Sequence, residues 1–186
     1  MMPSGVSTAY AADGDIEING TTFPDDNFRA WVLENISVGG SVLSQERIDN
    51  TTSINVANKD ISDLTGIEYF TELAALDCSD NNLSSLDITM NTKLESLTCN
   101  ANQLKKLDVT NNTKLTFLNC ADNELTSLDV TKLTELQALG CMDNEIVSLD
   151  VSKNTELTAL YCYNNLIKTL DVRGNLKITE FYCYNN

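Results

Sequence analysis

Six cysteines, Cys78, Cys99, Cys120, Cys141, Cys162 and Cys183, fall 21 residues apart, and the chain has no others. A spacing kept that strictly makes the second half of the chain one unit used repeatedly, and a fixed period in this range is the mark of a solenoid. Aligned on cysteine, the units run over 73–93, 94–114, 115–135, 136–156 and 157–177, with a partial unit at 178–186. Their shared pattern is LxxLxCxxNxLxxLDVxxNTx. Leucine or an equivalent holds the first, fourth, eleventh and fourteenth places, as in Leu94, Leu97, Leu104 and Leu107, and Val or Ile holds the sixteenth. An apolar period that restarts with every unit fits neither one long amphipathic helix nor an alternating antiparallel sheet. It predicts a coil carrying a short strand, LxC, on one side.

One such coil buries roughly six apolar side chains at about 2 kcal/mol each. Ordering its backbone costs about 1–2 kcal/mol per residue. A single coil therefore cannot stand alone. Stacking brings each leucine onto its counterparts above and below, and the LxC strands then pair in parallel at about 4.8 Å per coil.

The pattern resembles leucine-rich repeats of the 21-residue, cysteine-bearing kind found in internalin J-like surface proteins of Gram-positive bacteria. The resemblance covers about residues 51 to 186. It implies an α/β leucine-rich-repeat solenoid: a parallel β-sheet of one short strand per coil, a mostly non-helical convex side and a small helical N-terminal cap. Ile54, Val56, Ile61, Leu64, Ile67, Phe70 and then Leu73 spell a first coil that is one residue longer, the transition from cap to array.

Two polar columns accompany the apolar ones. The ninth place is Asn in every unit, from Asn81 through Asn102, Asn123, Asn144 and Asn165 to Asn186. An amide there can satisfy backbone groups where the chain turns after the strand, so these are expected to form a structural ladder. Asp87, Asp108, Asp129, Asp150 and Asp171 line up beside the sixteenth place. A calcium loop needs mixed oxygen ligands and a turn glycine, which this column does not supply, so solvated turn residues are expected.

Neighbouring cysteines in a parallel ladder stand about 4.8 Å apart with parallel side chains, whereas a disulfide brings its Cβ atoms to about 3.8 Å. Thiolate metal sites use paired ligands such as CxxC, and the chain contains no histidine. The cysteines are thus expected to be a column of packed, reduced thiols, with no metal and no cofactor.

Upstream, residues 13–50 read as an N-terminal helical cap. Ile16 and Ile18 suggest a short strand, Pro24-Asp25-Asp26 a turn with capping acids, and Phe28, Trp31, Val32 and Ile36 an apolar helix face. Trp31 is expected to anchor the cap on the first coil. Ser41-Val42-Leu43-Ser44-Gln45-Glu46 resembles the end of a calcium-loop sequence in caps of related repeat proteins, but the carboxylates before it are missing. A loop without calcium is expected, followed by a short helix capped by Ser44. Residues 1–12 hold Ala9-Tyr10-Ala11, which fits a signal-peptide remnant without its apolar core, or a disordered tail. At the other end, Ile178, Phe181 and Cys183 would leave an open apolar underside. The array, 51–186, then reads as truncated there and able to self-associate through that coil.

Catalysis finds no support: there is no nucleophile motif and no phosphate-cradling glycine loop, and the polar residues recur with the structural period. With 12 basic and 27 acidic residues the net charge is −15, which excludes nucleic acid as a partner. No apolar run approaches the length of a membrane span. The outward residues beside LxC carry what information remains. Tyr161, Tyr163, Tyr182 and Tyr184 fall on two adjacent strands, with Met142 next to them and Phe117 farther along. Residues two apart share a face, so the four rings should form a two-by-two block. They are candidate contacts for a protein or glycan partner of a secreted or cell-surface recognition module, and the resemblance implies adhesion or host interaction. The other reading is that the rings cover one another on a passive stalk that displays another domain.

Overall fold

The computed structural model describes residues 14–186, so the expectation for residues 1–12 lies outside the described residues. Two short strands, β1 (Ile16–Glu17) and β2 (Val42–Leu43), pair antiparallel. Between them lies α1 (Asp26–Asn35), and α2 (Gln45–Asn50) follows β2. Asp25 caps α1, its carboxylate accepting from the backbone N–H groups of Asn27 and Phe28 at 2.9 Å. The second carboxylate oxygen of Asp25 accepts from the Ser62 N–H at 2.8 Å, tying the start of the helix to the first coil. Ser44 caps α2 as its sequence predicts, accepting from the Arg47 N–H.

Phe28 and Val32 of α1 are fully buried, whereas Trp31 is only half-buried. Trp31 packs against the core from its edge, and the other fully buried ring of the cap is Phe23, which has no exposure and packs edge-on against Phe28 and tilted against Tyr69. Gly66 makes room for it. A Cβ there would stand 2.3 Å from the Phe23 ring, and the φ of +107° already calls for glycine. The loop after α1 is closed by protein groups. The Ser37 hydroxyl sits between the carbonyls of Leu33 and Gly40, 2.8 and 2.7 Å away, and shares its one proton between them, and the Arg47 guanidinium donates to the carbonyl of Ile36.

From residue 53 onward seven strands form one parallel sheet in chain order: β3 (Ser53–Asn55), β4 (Ala75–Asp77), β5 (Ser96–Thr98), β6 (Phe117–Asn119), β7 (Ala138–Gly140), β8 (Ala159–Tyr161) and β9 (Glu180–Tyr182). Ser53 pairs with Ala75, 22 residues on, and every later step is 21, as with Ala75 and Ser96. Each of β4 to β8 starts one residue before the leucine of LxC, and Ile54 in β3 and Phe181 in β9 take that leucine's place. The cysteine follows the strand, but its N–H continues the ladder, as in Cys78 N–H to the Thr98 carbonyl at 2.8 Å. Apart from one 3₁₀ turn at Ile67–Tyr69, no helix occurs among the described residues beyond α2.

Leucines of the repeat and Cys78, Cys99, Cys120, Cys141 and Cys162 make one continuous core running up from Phe23, Phe28 and Val32. Burial pushes the thiols of Cys78, Cys120 and Cys162 up to about 12, and those of Cys99 and Cys141 well above their ordinary value. Cys183, just after the last strand, is the exposed exception.

The ninth-place amides form the expected ladder. Asn144 Nδ2 donates to the carbonyls of Cys120, Cys141 and Met142, while its Oδ1 accepts from the Leu125 N–H, so one side chain joins two coils. A second ladder accompanies it at the nineteenth place, which the consensus contains but which periodicity alone leaves unexplained. Asn91, Asn112, Asn154 and Asn175 are buried, and each Nδ2 donates to two carbonyls of the coil before, as Asn112 does to Ile88 and Asn91. Leu133 interrupts this column.

The fifteenth-place aspartates are turn residues. Each accepts from the backbone N–H two residues on, at 2.9–3.0 Å, and Asp87, Asp108 and Asp129 also accept from the hydroxyls of Thr89, Thr110 and Thr131. The eighth place is a left-handed position in every coil: Asp80, Ala101, Asp122, Asp143, Asn164 and Asn185 all have φ between 52° and 55°. That demand explains why Asn or Asp stands at five of these six sites.

Candidate interaction face

Pairing in register places the third-, fifth- and seventh-place side chains of successive coils side by side on the outward face of the sheet. Between β6 and β8 the outward residues change abruptly in size. Phe117 opens the series on β6, β7 offers only Ala138 and Gly140, and β8 carries Tyr161 with Tyr163 just beyond it. The result is a depression of about 290 Å³ lined by Phe117, Asn119, Ala138, Gly140, Met142, Tyr161 and Tyr163. Gly140 is its floor: a Cβ there would come within 3.1 Å of Asn119 Oδ1 and 3.6 Å of Met142 Sδ.

Four of the six candidate residues, Phe117, Met142, Tyr161 and Tyr163, line that depression. The other two stand behind it. Tyr182 stacks on Tyr161 with ring centroids 5.4 Å apart and planes 9° from parallel, and Tyr184 stacks on Tyr163 at 4.6 Å and 10°. The four rings thus form the two-by-two block that strand pairing predicts. The inner pair is half-buried, and Tyr182 and Tyr184 are about half exposed.

Stacking covers one face of Tyr161 and of Tyr163, and the other borders the depression. The Tyr161 hydroxyl donates to Glu180, and this bond above all raises its pKa. Desolvation, then the neighbouring Tyr184 and Asp143, raises that of Tyr163. Asp143 accepts from Asn164 Nδ2 at 2.6 Å, and Asn164 Oδ1 from Asn185 Nδ2 at 2.8 Å, a polar rim along the eighth place.

Asn119, Ala138 and Gly140 were not among the sequence candidates. The signal was a small one: Gly140 is the single residue without a side chain in the fifth-place column of Asp77, Thr98, Asn119, Gly140, Tyr161 and Tyr182. A larger cleft, about 680 Å³, lies between cap and array against Trp31, Asn35, Arg47, Asn50 and Ser53, and its lining is mainly polar. Among the described residues no group of acidic, Cys or His side chains is placed to hold a metal ion. Among the described residues no helix is long and apolar enough to cross a membrane either.

A parallel sheet of one strand per coil, with leucine, cysteine and asparagine in register, defines a leucine-rich-repeat domain. Residues 23–175 match the model of the leucine-rich-repeat domain of the endo-β-N-acetylglucosaminidase EndoS, and the chain belongs to that repeat family. The match is to the repeat domain of that enzyme. Internalin J of Listeria monocytogenes is 42% identical over 71 residues, 38% of this chain and 8% of the relative. The functional domain of the same protein, described as including a cysteine ladder, superposes with a TM-score of 0.59 at 32% identity, covering 97% of this chain and 49% of that one. The fold is shared with an internalin, InlF, of the same organism, at a TM-score of 0.75 and 22% identity over 97% of this chain and 53% of that one. This chain therefore spans about half the length of the internalin structures it matches, and the cysteine column is a ladder of the internalin J kind.

Proposed function

We propose that the chain is a recognition module of a secreted or cell-surface bacterial protein, binding a protein or glycan partner through its strand face in adhesion or host interaction. The observation that carries this reading is the depression over Gly140. A packing solution would fill the β7 positions with side chains, but Ala138 and Gly140 leave a recess walled by Phe117, Met142, Tyr161 and Tyr163. Exposed aromatic walls around a recess of this kind favour contact with a partner, and tyrosine supplies large area at low entropic cost. Likeness to internalin J supports a bacterial surface setting.

The chain is read as non-catalytic. Five cysteines are buried thiols far from thiolate character, and the aspartate column is engaged in its own turns. The test is binding of the purified chain to glycan and extracellular-protein arrays, beside a variant with Tyr161, Tyr163, Tyr182 and Tyr184 all replaced by Ser. A ligand lost in a folded variant supports the module. A ligand retained by it removes the tyrosine face, and a folded parent chain that binds nothing favours the stalk.

A further inference from the structure

Charge is segregated around the array. From residue 73 on, the second to eighth places of the six coils, which hold the strand and its flanks, contain Asp77, Asp80, Glu95, Asp122, Asp143 and Glu180 and no lysine or arginine. All nine lysines and arginines of that region stand at the twelfth, thirteenth, seventeenth, eighteenth and twenty-first places. The backbone does not require this. Asn164 and Asn185 meet the left-handed demand of the eighth place without charge, so Asp80, Asp122 and Asp143 add carboxylates beyond what the turn needs. A face with one sign of charge and an apolar recess in it attracts the opposite sign.

We propose that the recess takes an arginine or lysine side chain from an extended basic segment of a partner protein. The proposal rests on the recognition reading above and names the partner's chemistry. The methylene stem would lie on Gly140 and Met142, and the cation over the free faces of Tyr161 and Tyr163, with Asp143 and Glu180 at the rim. Two ring faces in one wall suit a cation, and the apolar floor suits the stem. A neutral sugar would use the rings but not the field, and a sialylated or sulfated one would be repelled by it.

The probe is a seven-residue peptide alternating arginine and leucine. Its citrulline counterpart keeps the length and the planar head group but replaces one nitrogen by oxygen and removes the charge. Binding is followed by fluorescence anisotropy of labelled peptide at low and physiological salt, beside arrays of neutral and sialylated glycans. The expected result is binding that weakens about tenfold on citrulline substitution and falls as salt rises. It should be lost in Tyr161→Ser/Tyr163→Ser and in Gly140→Val, and weakened in Asp143→Asn/Glu180→Gln. Folding of each variant is checked by protection of its five buried cysteines.

Equal binding of the arginine and citrulline peptides, or no binding of either, overturns the proposal. Glycan binding lost with the tyrosines overturns it too, while leaving the recognition reading intact. Arginine-peptide binding that survives loss of Tyr161 and Tyr163 removes the site itself.

Discussion

Asn144→Ala isolates what the ninth-place ladder contributes. The side chain makes four hydrogen bonds, but they are not equivalent. The carbonyl of Cys120 keeps Asn123 Nδ2 at 3.2 Å, that of Cys141 keeps Asn165 Nδ2 at 2.9 Å, and that of Met142 keeps the Asp122 N–H at 3.0 Å. Only the Leu125 N–H, buried and bonded to Asn144 Oδ1 at 2.9 Å, is left with no acceptor. Orphaning one buried backbone donor costs about 1–3 kcal/mol, and thinning three shared carbonyls adds a few tenths each, for a total of about 2–4 kcal/mol. Urea unfolding followed by far-UV circular dichroism should show a lower midpoint with an unchanged slope. Asn144→Asp keeps the acceptor but points a carboxylate at three carbonyls, so at neutral pH it should be no more stable than the alanine variant. A loss below about 0.5 kcal/mol for Asn144→Ala would refute the claim that the ladder satisfies backbone groups that water cannot reach.

Ala101 is the one member of the eighth-place column that is neither Asn nor Asp, and it is held at φ 53°. Ala101→Asn should stabilise the chain by about 1 kcal/mol in the same urea assay, and no gain would contradict the left-handed explanation of that column. Maleimide labelling of the folded chain should modify Cys183 quickly and the five buried cysteines slowly, with all six reacting in denaturant; several fast thiols would refute the packed ladder. Acid should destabilise the array. Thr hydroxyls and backbone N–H groups hold Asp87, Asp108 and Asp129 below the ordinary 3.8, and Arg173 brings Asp171 to about 2. Because these folded-state values are depressed, the stability they contribute is present above 3.8 and lost as pH falls toward 2. A thermal midpoint that stays level over that range would refute it.

Much of the candidate face was legible because the tyrosines recur at fixed places of a fixed period. Tyr161 over Tyr182 and Tyr163 over Tyr184 follow from register alone, and the stacked geometry agrees. The recess was not legible, since it depends on contrast across coils: Phe117 lies 21 residues before Ala138 and 44 before Tyr161, and nothing local marks Gly140 as a floor. The cap holds a second ring that was not legible for a related reason. Trp31, the tryptophan on an apolar helix face that reads as the anchor, packs half-buried against the core, but Phe23, in the turn before α1, is the ring that Gly66 admits.

What the sequence determined by itself was most of what repeats. Coil length, the parallel register, the inward leucine and cysteine columns and the ninth-place amide ladder all follow from the 21-residue period, because stacking identical units leaves each residue its own counterpart as neighbour. Tertiary structure alone decided the handedness of the turns, what the buried nineteenth-place amides pair with, and where unlike residues meet. It set the left-handed turn at the eighth place and the buried amides of Asn91, Asn112, Asn154 and Asn175. It also placed Phe23 beneath Gly66, and the recess between Phe117 and the tyrosines. Such contacts depend on side-chain volume and backbone dihedral angles, which an apolar period does not encode.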